Sequence, residues 1–183
     1  MNRPLFFNED YFHAVTPVDE NQNYKLLRPV VWECQELYIQ DIIGTPLYNE
    51  LKDQWENNTM TALNLTLVQN YIAPCLANYV MKEGMTNMLF KMRNKSVMTD
   101  RSEFSDPVDF TSYKHLQNTY QERAEKYAGK IEDYLCANSV DYPLYTSYTS
   151  VDEVRAQGQR ATTSLALGIK PRRTGMGWEY YER

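Results

Sequence analysis

The chain has 183 residues, 43% of them apolar and 23% charged, with a formal net charge of -5. That composition fits one globular domain, or one domain with an arm, and excludes collagen and low-complexity disorder. No apolar stretch approaches the roughly 20 residues that span a bilayer, which excludes a membrane bundle.

Glycine is scarce, 7 residues, while tyrosine is abundant, 15 residues. Scarce glycine leaves no room for a phosphate-cradling loop in the body and favours long helices over many-turned β structure. Residues 1–23 are irregular and polar with some aromatics. The start MNRPLFFNEDYFHA has no apolar core and meets acids at once, so no secretory signal is expected there.

Helical periodicity begins at Leu27. Leu27, Val30, Val31, Cys34, Leu37, Tyr38 and Ile42 lie on one stripe, with Pro29 in the first turn and Ile43-Gly44 as the stop. Thr45 is placed to cap, and Pro46 to open, a short helix to about Trp55, with Leu47, Tyr48, Leu51 and Trp55 on one side. Asn57-Asn58 ends it. The next pattern is long and apolar on more than one stripe: Leu67, Val68, Tyr71, Ile72, Cys75, Leu76, Tyr79 and Val80, continued by Met85, Met88, Leu89 and Met92. It predicts the central helix, kinked at Pro74.

Residues 93–109 have no period and read as a loop or a short hairpin. The last helix is expected from about Phe110 to Cys136. Tyr113, Tyr120, Tyr127 and Tyr134 recur every seven residues along it, supported by Leu116, Ala124, Ile131 and Leu135. Such a row is expected in core or subunit packing, ring inside and hydroxyl at the edge. The predicted fold is all-α: a bundle of about four helices, one of them long, central and kinked. Residues 1–138 form the helical body and residues 139–183 an extended C-terminal arm.

The arm has its own chemistry. From Arg155 onward the cations are Arg155, Arg160, Lys170, Arg172, Arg173 and Arg183, against Glu179 and Glu182, so residues 155–183 carry +4 and leave -9 for residues 1–154. Its end holds Trp178, Tyr180 and Tyr181. Arginine and large aromatics are the residues enriched at interface hot spots. Arg155, Arg160, Lys170, Arg172, Arg173, Trp178, Tyr180 and Tyr181 are therefore the candidate partner-binding residues. A short helix is a candidate within it around Ser150–Gln157.

No pattern for catalysis or for a metal emerges. Cys34, Cys75 and Cys136 are odd in number, widely separated and on apolar helix faces, which predicts small buried hydrophobes in a reducing compartment. His13 and His115 share no motif, and no cluster has metal-ligand spacing. Glu33 with Glu36, and Glu122 with Glu125, are i,i+3 pairs expected on solvated faces, and no Glu-x-x-His accompanies them. Neither a nucleophile elbow nor a dinucleotide or Walker loop is present. No catalytic, metal or cofactor site is expected, and the protein is not expected to be an enzyme.

The run LLRPVVWECQELYIQDIIGTPLYNELKDQW (Leu26–Trp55) and the run TLVQNYIAPCLANYVMKEG (Thr66–Gly84) resemble the head–tail connector proteins, or adaptors, of tailed bacteriophages. The matching features are Val31, Cys34, Ile39, Ile42 and Gly44, then Leu47, Tyr48 and Leu51, then Tyr71, Pro74, Leu76 and Ala77. The likeness is greatest to ring proteins of podovirus-like phages of gut Bacteroidales, the crAss-like group. It covers about residues 24–92 well, the last helix loosely and the arm not at all.

The resemblance implies a structural virion protein at the phage neck, made in the host cytoplasm. It implies a homo-oligomer, a twelvefold ring that docks on the portal, extends the DNA channel and presents a surface to the next tail component. Genomic DNA would pass without sequence-specific contact, and an acidic body suits a conduit to which DNA must not stick. Arg93, Lys95 and Arg101 mark the candidate channel or subunit-contact loop by elimination. The alternative is a helical nucleic-acid-associated or regulatory protein that uses its basic aromatic tail.

Overall fold

A computed structural model describes residues 4–18, 24–93, 96–99, 110–147 and 153–159. Among these the fold is all-α with one small hairpin. Helix α1 spans Glu9–Val15. Helix α2 runs from Arg28–Cys34 through a π turn, Gln35–Ile39, into Gln40–Ile43. Helix α3 is Thr45–Glu56. Helix α4 runs from Ala62–Leu67 through a second π turn, Val68–Ile72, into Ala73–Leu89. Strands β1 (Phe90–Arg93) and β2 (Ser96–Thr99) follow. Helix α5 is Phe110–Ala137, and α6 is the single turn Pro143–Thr146.

Helix α4 is the centre, as its all-round apolar sequence predicts. It packs antiparallel to α5, as three contacts along the pair show: Tyr71 stacks on Tyr134 with centroids 4.4 Å apart, Cys75 Sγ approaches the Ala124 carbonyl at 3.5 Å, and Thr86 meets the Tyr113 hydroxyl at 2.7 Å. It also packs antiparallel to α2, where Tyr38 stacks on Tyr79 at 4.1 Å. The tyrosine row is thus the α4–α5 seam within one chain. Tyr120 is buried there, and Tyr113, Tyr127 and Tyr134 are half-buried.

The sharp kink expected at Pro74 takes a milder form. Proline lacks an N–H, and its ring crowds the carbonyl four residues back. The π turn just before it widens that loop of chain, with the Ala73 N–H bonded to Val68 five residues back. The π turn in α2 has a second consequence. Its extra residue rotates the stripe, so Ile39 is buried in the core while Leu37, predicted to face inward, is 60% exposed. Leu116 of α5 was likewise expected inside and is 47% exposed.

Four other expectations need correction. The N-terminal stretch is not irregular throughout: Asn8 caps α1 by accepting from the Tyr11 N–H at 3.0 Å, and Phe6, Phe7 and Phe12 join the core. The central helix does not continue to Met92. It stops at Leu89, and the alternation Phe-Lys-Met-Arg feeds the hairpin, paired from Phe90 opposite Thr99 to Arg93 opposite Ser96. Packing also does not end at residue 138. Tyr142, Tyr145 and Ala156 belong to the same core as the helices, so part of the expected arm is body. The short helix expected near Ser150–Gln157 appears, in the described part, only as a 3-10 turn at Gln157–Gln159.

Candidate interaction surfaces

The two ends of the helical body differ. Because α4 runs against both α2 and α5, the α2–α3 corner and the C-terminal part of α5 share one end. The hairpin, the start of α5 and the start of α2 share the other. The stretch Ala73–Leu89 alone has 17 residues, or roughly 25 Å at 1.5 Å per residue.

At the first end the chain turns at Gly44, whose φ of +82° is unfavourable for any side chain. A strap, residues 153–159, closes over this corner. A Cβ on Gly44 would lie 3.0 Å from the Ala156 nitrogen and 3.3 Å from its Cβ, so the glycine serves both the turn and the close approach. Thr45 was expected to cap α3 but is its first residue, with Gly44 in the cap position. Its N–H donates to the Val154 carbonyl at 2.9 Å. Its Oγ1 accepts from the Val154 N–H and from Gln40 Nε2, each at 2.9 Å. The strap then passes Tyr145 and Glu132, where a Cβ on Gly158 would come within 2.6 Å of the Tyr145 hydroxyl.

Next to the strap lies a surface that is both acidic and apolar. The Tyr142 hydroxyl donates to the Leu63 carbonyl at 3.0 Å, which ties the corner after α5 to the first turn of α4. Asn64 Nδ2 donates to Gln54 Oε1 at 2.8 Å, which ties that turn to α3. On the elements that these bonds join, Asp53, Glu56, Asp133 and Asp141 are exposed, as are Leu63 and Val140. The signal was present as two stretches without a cation, residues 53–81 and 131–154. It shows only once the fold joins them.

The candidate residues from the sequence fall as follows. Arg155 is exposed on the strap between Val154 and Ala156. Arg93 closes β1, opposite Ser96. Arg160, Lys170, Arg172, Arg173, Trp178, Tyr180, Tyr181, Lys95 and Arg101 lie outside the described residues.

No group of three or more His, Cys, Asp or Glu is arranged to hold a metal among the described residues. No described helix is long and apolar enough to cross a membrane. Cys34 and Cys75 are buried, as expected, whereas Cys136 is half-exposed. Burial, aided by Glu83 and Glu33, pushes the Cys34 thiol up to about 12, and burial pushes Cys75 higher. Both stay protonated at neutral pH and are poor nucleophiles. Glu36 departs from its expected solvated face: it accepts from the Tyr48 hydroxyl at 2.9 Å and from Lys52 at 3.2 Å.

No curated protein and no solved structure matches the chain. One family model matches residues 39–154, from the end of the π turn in α2, through the Gly44 corner, α3, α4 and α5, to Val154 of the strap. That span is well over half of the chain, and the chain belongs to this family, the family of unknown function DUF6712.

Proposed function

We propose that the protein is a structural component of a phage virion, forming a ring at the head–tail junction that docks on the portal and leads the DNA channel toward the tail. The observation that carries the proposal is the layout of the chain. A helical body holds a hairpin at one end, and the chain leaves it at the other through the strap, toward a basic aromatic segment. A subunit that bridges two neighbours along an axis needs contact elements at both ends. Side-by-side helical bodies would close the ring by heterologous contacts, as cyclic assemblies do.

Two further points support it. The features that resemble connector proteins map onto structurally demanding positions: Gly44 is the corner with positive φ, and Pro74 follows the π turn of the central helix. The charge division, -9 over residues 1–154 against +4 over residues 155–183, favours contacts between copies over adhesion of the body to DNA.

Native mass and negative-stain images of the full chain over a wide concentration range test the proposal. Closed rings of a single subunit number are expected. A monomer at every concentration, binding DNA with a steep loss of affinity as salt rises, would overturn it in favour of the nucleic-acid-associated alternative.

A further inference from the structure

The surface around Leu63 and Val140 combines exposed acids with exposed apolar side chains. Over residues 53–81 and 131–154 the sequence holds Asp53, Glu56, Glu132, Asp133, Asp141, Asp152 and Glu153 and no lysine, arginine or histidine. The Tyr142–Leu63 hydrogen bond and the Tyr71–Tyr134 stack bring the two stretches together. Asp53, Glu56, Asp133 and Asp141 are exposed, Leu63 is 49% exposed and Val140 is 92% exposed. Like charges repel here, and apolar area is left in water. A basic segment that carries large apolar side chains relieves both costs at once.

The chain supplies that segment itself. It leaves the described body at Gln159, and Gly158 sits against Glu132 and the Tyr145 hydroxyl, within a few residues of Tyr142. Residues 160–183 contain Arg160, Lys170, Arg172, Arg173 and Arg183 against two acids, with Ile169, Met176, Trp178, Tyr180 and Tyr181 among them. The eleven residues from Gln159 to Lys170 reach at most about 36 Å at roughly 3.3 Å each, enough to return over this end. A short tether gives an effective concentration on the order of millimolar, above that of a free partner in solution.

We propose that residues 160–183 dock on this acidic, apolar end of their own body. Lys170, Arg172 and Arg173 face Asp53, Glu56, Asp133 and Asp141, and the terminal aromatics cover Leu63 and Val140. The free subunit thereby withholds its basic segment from other acidic surfaces, and a partner gains it only by exchange. This goes beyond the ring proposal and does not depend on it.

The test is zero-length carbodiimide coupling of the full chain, using equal 14N and 15N populations unfolded together and refolded at low salt. Lys170 is expected to couple within one chain to Asp53, Glu56, Asp133 or Asp141. At 1 M salt the yield should fall at least fivefold, since the exposed pairs are screened within about 3 Å. Arg172→Gln with Arg173→Gln should lower it similarly. Coupling of Lys170 only between differently labelled chains would overturn the proposal. So would coupling spread evenly to Glu9, Asp10 and Glu122, or a yield unchanged by the two arginine substitutions.

Discussion

Two straps close over the same helical body, and they are fastened by different forces. The N-terminal strap is held by aromatic burial. Phe6 meets Tyr48 and Trp55 edge-on at 5.9 and 6.1 Å, while Phe7 stacks on Phe12 at 5.8 Å. Three buried phenylalanines each contribute about 2 kcal/mol of hydrophobic stabilisation. The strap's backbone is tied to a buried side chain: Gln35 Oε1 accepts from the Phe6 N–H at 3.1 Å, and its Nε2 donates to the Pro4 carbonyl and the Tyr48 hydroxyl. The strap over Gly44 buries one alanine and makes a pair of hydrogen bonds with Thr45. Each such bond contributes about 1 kcal/mol net. The first strap is part of the core, and the second is a latch on its surface.

The contrast sets an order of expected effects. The largest is alkaline, because it strikes the interior on both sides. Burial raises the Cys34 thiol from 9.0 to about 12, and burial with nearby Glu9 raises Tyr24 from 10.0 to about 12. Tyr48, Tyr79, Tyr142 and Tyr145 are raised further, again first by burial. A group whose folded pKa is raised contributes stability that is complete below the unfolded pKa. That contribution is lost as pH climbs to the folded pKa, because the unfolded chain releases the proton first. Circular dichroism should stay flat from neutral pH to about 9, and cooperative unfolding should fall between pH 9 and 12. Ultraviolet titration should show the buried tyrosines ionising together with this step. Loss of the fold well below pH 9 would remove burial as the cause.

Next comes the N-terminal strap. Phe12→Ala removes a side chain with no exposure, which packs on Phe7 and Tyr24. Urea unfolding should show a loss of about 3–5 kcal/mol. A loss below 1 kcal/mol would mean that this strap, too, is only a surface tie.

What the sequence made legible divides along similar lines. Periodicity located the two longest helices, the Gly44 stop and the α5 bounds within a residue or so, because a buried face repeats and repetition is visible. The N-terminal strap was not seen because α1 has only 7 residues, too few for two turns of pattern. Its cap signal, Asn8 followed by Glu9 and Asp10, was there to be read. Leu37 was placed inward because a π turn has no signature in a 3.6-residue stripe. Tyr142, Tyr145 and Ala156 went to the arm because single buried residues in irregular chain have no period at all. Among the candidate surfaces, the basic segment was visible as a local run of charge. The acidic end was not, because its residues are drawn from stretches some eighty positions apart.

Gly44→Ala probes the latch at its tightest point. The substitution puts a side chain at φ +82° and against Ala156, so it strains the corner and lifts the strap together. A loss of about 1–3 kcal/mol is expected, the range for a strained non-glycine backbone. Amide exchange should rise at Val154 and Ala156 by more than the global change explains. If the exchange of those amides moved only with global stability, the strap would be part of the cooperative core.

Thr45→Val separates the latch from the corner. It keeps the shape and the helix start but removes the oxygen that accepts from Val154 and Gln40. The Thr45 N–H bond to the Val154 carbonyl is untouched, so only one side of the latch opens. Global stability should fall by about 1 kcal/mol, the net value of a partly exposed hydrogen bond plus an orphaned donor. Opening of the strap should respond more than global unfolding, with the Val154 amide exchanging severalfold faster while amides of α4 are nearly unchanged. The two straps predict opposite patterns: Phe12→Ala should raise exchange everywhere in proportion to lost stability, Thr45→Val only at one edge. If Thr45→Val behaved like Phe12→Ala, the fold would have no releasable edge, and the segment beyond Gln159 would leave from the core itself.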